Sequence, residues 1–228
     1  MLQASQRQQL GSDGCVLLRG VLEAEQCSTI AAACPATPAR SGGLRNPFGP
    51  PGVRGIPWAL KLADIAGGLL DTPAFAVRVI LFDKTPGANW VVAWHQDLSI
   101  PVRERVDVAG YRGWSLKEGV RHVQAPQQVL DGMLTLRLHL DDCDAGSGPL
   151  LVLPGSHALG RLDPDRVQAL LAGQRASTTC TARAGDVLAM RPSLLHASGK
   201  ALQPRRRRVL HIEYAARDLP LPLEWHRV

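Results

Sequence analysis

Trp94-His95-Gln96-Asp97-Leu98 closes an apolar run, Ala88-Asn89-Trp90-Val91-Val92-Ala93-Trp94-His95, which follows a Thr85-Pro86-Gly87 turn signal. The run is rich in β-branched and aromatic residues and reads as a strand. On a strand, positions i and i+2 face the same way, so His95 and Asp97 project together. An imidazole and a carboxylate so placed supply two of the three protein ligands of a 2-His-1-carboxylate facial triad. Such a triad holds Fe(II) on one face and leaves the opposite positions open for co-substrate and dioxygen. His-x-Asp alone is common by chance, and its weight here comes from what lies downstream.

His196 is the expected partner. It follows a Gly185-Asp186 turn, a short strand at 187–190 and an Arg191-Pro192-Ser193 turn, and sits in the apolar segment Leu194-Leu195-His196-Ala197. Eleven residues later comes Arg207, inside the strand-like run at 205–214. A guanidinium there has a use, because its planar fork matches a carboxylate bidentately and stays charged at any working pH. A 2-oxoacid that chelates iron through its keto and C1 carboxylate oxygens needs a cation at its far carboxylate. Four consecutive arginines, 205–208, leave the register open. Arg205 shares the parity of Arg207 and is the fallback, whereas Arg206 and Arg208 are expected to face outward.

Other residues gather around this pattern. Thr135, Arg137 and His139 share one strand face. Arg137 either reaches the co-substrate or substrate, or pairs with a buried carboxylate such as Glu213. Asn89 lies six residues before His95 on the same strand face, and Lys84 either charges the barrel mouth or is an exposed loop lysine. The stretch 98–128 lacks strong periodicity, and a loop of that length is usually functional or disordered. Within it, 99–128 is expected to form a lid, with Trp114 and His122 as substrate contacts.

The chain has 228 residues, 45% of them hydrophobic, enough for one large β domain. A strand (15–19), a helix (23–34), a Pro/Gly-rich loop (35–57) and a second helix (58–70) come first. Period-two segments then run at 76–83, 89–95, 132–140, 149–153, 177–181, 186–190, 194–198 and 206–214, with one helix at 164–172. This count predicts a mainly β protein with flanking α-helices, its core a double-stranded β-helix of the jelly-roll, cupin-like kind. No segment is apolar enough to span a bilayer, and the first residues lack a hydrophobic signal core. Five scattered cysteines without a Cys-x-x-Cys pair fit reduced thiols, so a cytoplasmic setting is expected. The net charge of +6 raises the question of nucleic acid. However, the arginine run splits between two strand faces and no nucleic-acid motif accompanies it, so nucleic-acid binding is not expected. Asp142-Cys143-Asp144 fails the EF-hand template, since Ser147 and Leu153 stand where Gly and Glu are needed. Oligomeric state is left open.

The order His-x-Asp, then His, then Arg resembles that of the Fe(II)/2-oxoglutarate oxygenases, and more narrowly of the phytanoyl-CoA dioxygenase family. The resemblance rests on 77–86 (VRVILFDKTP) leading into 94–98, Leu138-His139-Leu140-Asp141-Asp142, the Gly148-Pro149 to Ser156-His157 stretch, Gly185-Asp186-Val187, and His196-Ala197-Ser198 before the arginine run. Asp13-Gly14-Cys15 and Gly20-Val21-Leu22 also look like that family's start. It implies a single oxygenase domain over 1–228, with an α-rich part at about 1–72 and a jelly-roll core at about 73–218. Fe(II) would be held by His95, Asp97 and His196. Co-substrates would be 2-oxoglutarate and dioxygen, with ascorbate an expected stimulant. Ser198 would join Arg207 at the distal carboxylate, and Gln96 enters because the family carries the same His-Gln-Asp. The implied reaction hydroxylates a C–H bond of a small molecule and releases succinate and CO2. Two alternatives are a non-catalytic or sensory jelly-roll binding protein and a cupin-like metalloenzyme that does not use 2-oxoglutarate.

Overall fold

The period-two segments become strands, and the helical segments pack outside them. The structure, a computed structural model, describes residues 2–37, 42–49, 52–173, 176–203 and 205–228. Parts of the Pro/Gly-rich loop, 38–41 and 50–51, lie outside the described residues. In chain order the elements are α1 (Ala4–Asp13), β1 (Cys15–Leu18), α2 (Ala24–Ala33), β2 (Leu44–Arg45), α3 (Pro57–Leu70), β3 (Phe75–Lys84), β4 (Val92–His95), β5 (Ser99–Val102), β6 (Arg112–Lys117) and β7 (Val120–Gln124). They continue as α4 (Gln127–Asp131), β8 (Met133–His139), β9 (Leu150–Val152), α5 (Pro164–Ala172), β10 (Thr178–Cys180), β11 (Val187–Met190), β12 (His196–Ser198) and β13 (Arg207–Ala215).

Two antiparallel sheets make the jelly roll. The major sheet runs β1-β11-β8-β13-β3-β2 and the minor sheet β10-β9-β12-β4. The chain passes back and forth between them, so strands distant in sequence become neighbours. Strand parity then separates two environments. Val79 and Leu81 of β3, Leu134, Leu136 and Leu138 of β8, and Leu210 and Ile212 of β13 face the helices, in one buried cluster with Leu10, Ile30, Leu62 and Leu69. The alternate positions, Arg78, Ile80 and Phe82 of β3, Arg137 of β8, and Arg207 and His211 of β13, line a cavity that His95, His196 and Ser198 of the minor sheet also line. The major sheet is thus apolar outside and cationic inside.

Helix α3 shows why this side holds. Pro57 opens it with a preset φ, Asp71 closes it in the left-handed conformation, and Ala59, Leu62, Ala66 and Leu69 form a buried stripe at three- and four-residue spacing. Truncating Leu62, which is fully buried, removes packing worth about 2–5 kcal/mol. No described helix is long and apolar enough to cross a membrane.

Two elements differ from the sequence reading. Ala4–Asp13 is a helix that buries only Leu10, so it carries no amphipathic signal. More consequentially, residues 99–124 are not a loop but a three-stranded sheet, β5-β7-β6. Pro101 interrupts the first strand's pattern, the second is mostly exposed on both faces, and Gly113 takes φ +65° beside a register shift. The β6–β7 hairpin turns through Glu118 and Gly119, both at positive φ. Ile100, Val102 and Val123 bury against Met133, Leu223 and Trp225, giving this sheet its own core.

Candidate active site

Pairing of β12 with β4 sets His196 directly opposite His95. Their ring centroids are 4.2 Å apart. Asp97 lies just past β4, where its N–H donates to the carbonyl of Pro192 at 2.8 Å. Its carboxylate stands 3.7 Å from His95 Nε2 and 3.6 Å from His196 Nε2. One ligand atom from each of the three residues lies within 4.8 Å of the others.

The hydrogen bonds around this cluster select its chemistry. His95 Nδ1 contacts the Ala93 carbonyl at 2.8 Å, and His196 Nδ1 contacts the Leu194 carbonyl at 2.8 Å. A carbonyl only accepts, so each Nδ1 carries the proton and each Nε2 keeps a bare lone pair. Asp97 Oδ2 is buried without a hydrogen-bond partner. Two bare imidazole nitrogens and an orphaned carboxylate oxygen converging on one point are the donor set a divalent first-row metal takes. Burial pushes His196 down to about 4, so it is a neutral ligand at ordinary pH. Burial opposes the charge of Asp97, but the imidazoles of His196 and His211 and the Arg78 guanidinium outweigh it and hold the carboxyl well below its usual range.

A second grouping, Asp97, His211 and Glu213, also lies within ligand distance. It is the poorer donor set. Arg78 already neutralises Glu213 in a buried ion pair, and His211 bonds Arg137 through Nδ1 at 3.0 Å and Glu213 through Nε2 at 3.3 Å.

Beyond the His-Asp-His cluster the cavity becomes a pocket for negative charge. Lys84 sits across the β3–β13 pairing from Arg207 and is 1% exposed. Its ammonium donates to Ser198 Oγ at 3.1 Å and to the Gly199 carbonyl. Ser198 Oγ in turn donates to the Gly148 carbonyl at 3.1 Å. Gly148 holds φ +67° here, and a side chain on it would crowd the Lys84 ammonium at 2.9 Å. Arg207 reaches only Cys143 Sγ, at 3.9 Å, and its Nε has no partner. Among the described residues, none of Lys84, Arg137 and Arg207 forms a salt bridge with an acid. Burial, and secondarily Arg207, lowers Lys84 to about 8, while burial followed by Arg207 lowers Arg137 to about 10. Three buried cations that repel one another and lack a counter-charge form a site for a polyanion.

The remaining sequence candidates fall elsewhere. Gln96 also lines the cavity, but its amide is committed to Gly160 O, Ser193 O and Leu162 N. Asn89 bonds both the carbonyl and N–H of Ala201, at 2.9 and 2.8 Å, and is not among the lining residues. Trp114 is not a lining residue either; its ring stacks against Arg105 at 5.6 Å. His122 is buried under the hairpin, bonds Val120 O at 3.0 Å, and is pushed to about 4 by burial, with Arg78 and Lys117 adding to the effect. Of the arginine run, Arg207 points inward, whereas Arg205 is half exposed and pairs with Asp144. Arg206 and Arg208 are not among the lining residues; Arg206 is exposed and Arg208 partly so, and they bind Asp83 and Asp141 through two or more bonds each. Sequence reasoning missed Arg45, Arg78 and His211 as cavity residues; Lys117 belongs to the 98–128 stretch expected to offer a substrate surface, without being singled out there. The His211 and Arg207 parity was available to find one of them.

The cavity is about 350 Å3. A larger depression of about 710 Å3, near Arg54 and the C-terminal residues, is bordered by acid–base pairs that satisfy each other, Arg103 with Glu224 and Arg227 with Asp218, and holds no metal-competent cluster.

Fold and site together define a jelly-roll protein with a metal-competent His-Asp-His cluster beside a group of buried cations. The chain belongs to the phytanoyl-CoA dioxygenase family, whose profile matches residues 10–209. It is 27% identical over 180 residues to L-proline trans-4-hydroxylase from Streptomyces griseoviridis; the match covers 67% of this chain and spans 59% of that relative's length. The fold is also that of the non-haem α-ketoglutarate-dependent carbocyclase SnoK from nogalamycin biosynthesis, with TM-score 0.71 and 17% identity over 100% of this chain and 88% of that one. The epimerase SnoN, solved with Fe3+, α-ketoglutarate and nogalamycin RO, gives TM-score 0.68 at 18% identity over 98% of this chain and 94% of that one.

Proposed function

We propose that this chain is an Fe(II)- and 2-oxoglutarate-dependent dioxygenase that hydroxylates a C–H bond of a small molecule and releases succinate and CO2. The carrying observation is that the cavity lined by a metal-competent cluster, His95, Asp97 and His196, is also lined by two buried cations without acids, Arg137 and Arg207, with a third, Lys84, buried behind the lining residue Ser198. A jelly-roll protein that binds metal alone has no need of the second feature. Family membership supports the reading, and the hydroxylase relative favours hydroxylation as its outcome.

In this reading His95, Asp97 and His196 hold Fe(II), which with dioxygen and 2-oxoglutarate supplies the oxidising power for C–H cleavage when bound. The chain's own residues do the rest. Arg207 and Lys84, steadied by Ser198, clamp the distal carboxylate of 2-oxoglutarate, and Arg137 lies toward its other end. Nδ1 donation to the backbone keeps each histidine in the tautomer that presents Nε2. Ile80, Phe82, Trp90, Val92 and Leu98 give the cavity apolar walls that exclude water. The five cysteines are free thiols, which supports the cytoplasmic setting we propose.

The test needs no substrate. Protein supplied with Fe(II), ascorbate and 2-oxoglutarate should release succinate slowly, and Asp97→Ala should abolish the release. Succinate at the buffer rate from the native protein would leave the metal-binding alternative standing.

A further inference from the structure

The cavity has a second cationic end that the co-substrate leaves unanswered. Besides Arg137 and Arg207, Arg45 of β2, Arg78 of β3 and Lys117 of β6 line the cavity. Asp97 is the one acidic residue among the described lining residues. Arg78 has Glu213 and Arg45 has Glu118, the latter at 2.6 Å, so their charges are met. Lys117 has no salt-bridge partner among the described residues, although it is partly buried. Burial lowers its pKa, and the Arg78 and Arg45 guanidiniums lower it further against the opposing pull of Asp97 and Glu213.

A second observation falls on the same groups. Twelve buried side-chain N or O atoms among the described residues lack a hydrogen-bond partner, and four are the Nε atoms of the cavity arginines. Arg137 and Arg207 account for two, beside the co-substrate pocket. Arg45 and Arg78, which line the cavity with Lys117, account for the other two. A buried donor left unsatisfied is costly, so a cluster of such donors lining one cavity marks a place where a ligand can complete the site. In the oxygenase reading 2-oxoglutarate answers the pair beside Ser198, which leaves Arg45 and Arg78 to another ligand.

We infer that the prime substrate is a small carboxylic acid whose carboxylate docks at Lys117, between Arg45 and Arg78, with its hydrocarbon body against Phe82, Trp90 and Leu98. This rests on the oxygenase reading and names the substrate class of that same site. One uncompensated ammonium matches a monoanion. The β6–β7 hairpin that carries Lys117 is joined to β2 by the Arg45–Glu118 pair, which sets Lys117 near Arg45.

The experiment is calorimetry on the Ni(II)–2-oxoglutarate complex, which binds without turning over. The probes are amino acids and simple carboxylic acids of three to six carbons, each paired with its primary carboxamide. At least one acid should bind about tenfold or more tighter than its amide. Lys117→Met should erase that preference while leaving the weaker amide binding in place, and Lys117→Arg should restore most of it. Acids that bind no better than amides overturn the assignment. So does a preference that survives Lys117→Met, or a protein that takes up 2-oxoglutarate but no acid. A protein that takes up no 2-oxoglutarate fails the oxygenase reading itself, a distinct result that removes this inference with it.

Discussion

Lys84 is charged only as far as its surroundings allow. Burial, with Arg207 beside it, holds it at about 8. Bound 2-oxoglutarate would favour the ammonium and raise that pKa. Affinity should therefore be full below about pH 8 and fall as pH rises above it, by at most about tenfold per unit for one proton. Titrating 2-oxoglutarate into Lys84→Met should give weaker binding with that slope gone; a slope unchanged in the variant would place the titration elsewhere. For Arg207→Ala the expected loss is about 2–5 kcal/mol of 2-oxoglutarate affinity, on the order of 30- to several-thousand-fold, with metal affinity nearly intact. Arg205→Ala is the control, because its half-exposed side chain pairs with the exposed Asp144 and with Ser147 Oγ, away from the cavity lining. Arg206→Ala is unsuitable, since it strands the buried carboxylate of Asp83. At this scale the sequence was legible wherever parity decides. His95, Asp97, His196, Ser198 and Arg207 follow from i, i+2 spacing and chain order. Arg45 and Arg78 did not, because their relation to the cavity depends on which strands become neighbours.

The β5-β7-β6 sheet shows how far element reading goes. Its strands are short, one contains Pro101, and another is bulged and mostly exposed, so no period-two signal rises above the turns. Its core partners, Leu219, Leu223 and Trp225, come from the far end of the chain. Trp225 is 4% exposed and its indole donates to Arg217 O at 2.9 Å. Trp225→Ala should cost about 3–5 kcal/mol, read as a lower denaturant midpoint. If the hairpin is a substrate-bearing element, the same variant should also make 99–128 the first segment cut by protease. Unchanged cleavage there would mean that the sheet is held by something other than this cluster. By contrast, the major-sheet strands and α5 were legible because long apolar runs and an Asp163-Pro164 start override local ambiguity.

For the whole molecule, metal binding and folding are linked because the three proposed ligands converge only when the minor sheet is formed. Ni(II) at about 100 times its dissociation constant should add about 2.7 kcal/mol, or roughly 5–10 °C in Tm for a chain of this length. His196→Ala should remove the shift, and a shift that persists would place the metal elsewhere.

The two histidines are not equivalent in their strands. β4 is the end strand of the minor sheet, bonded on one side by β12, while β12 is enclosed between β4 and β9. His95 accordingly keeps 40% of its side chain exposed, and His196 only 4%. The consequence is kinetic: an ion can be handed over at a rim, without opening the sandwich. Chelator-driven release should begin with detachment from His95 and run far faster than global unfolding. The finished fold can then be charged, emptied and recharged with metal while its core stays shut.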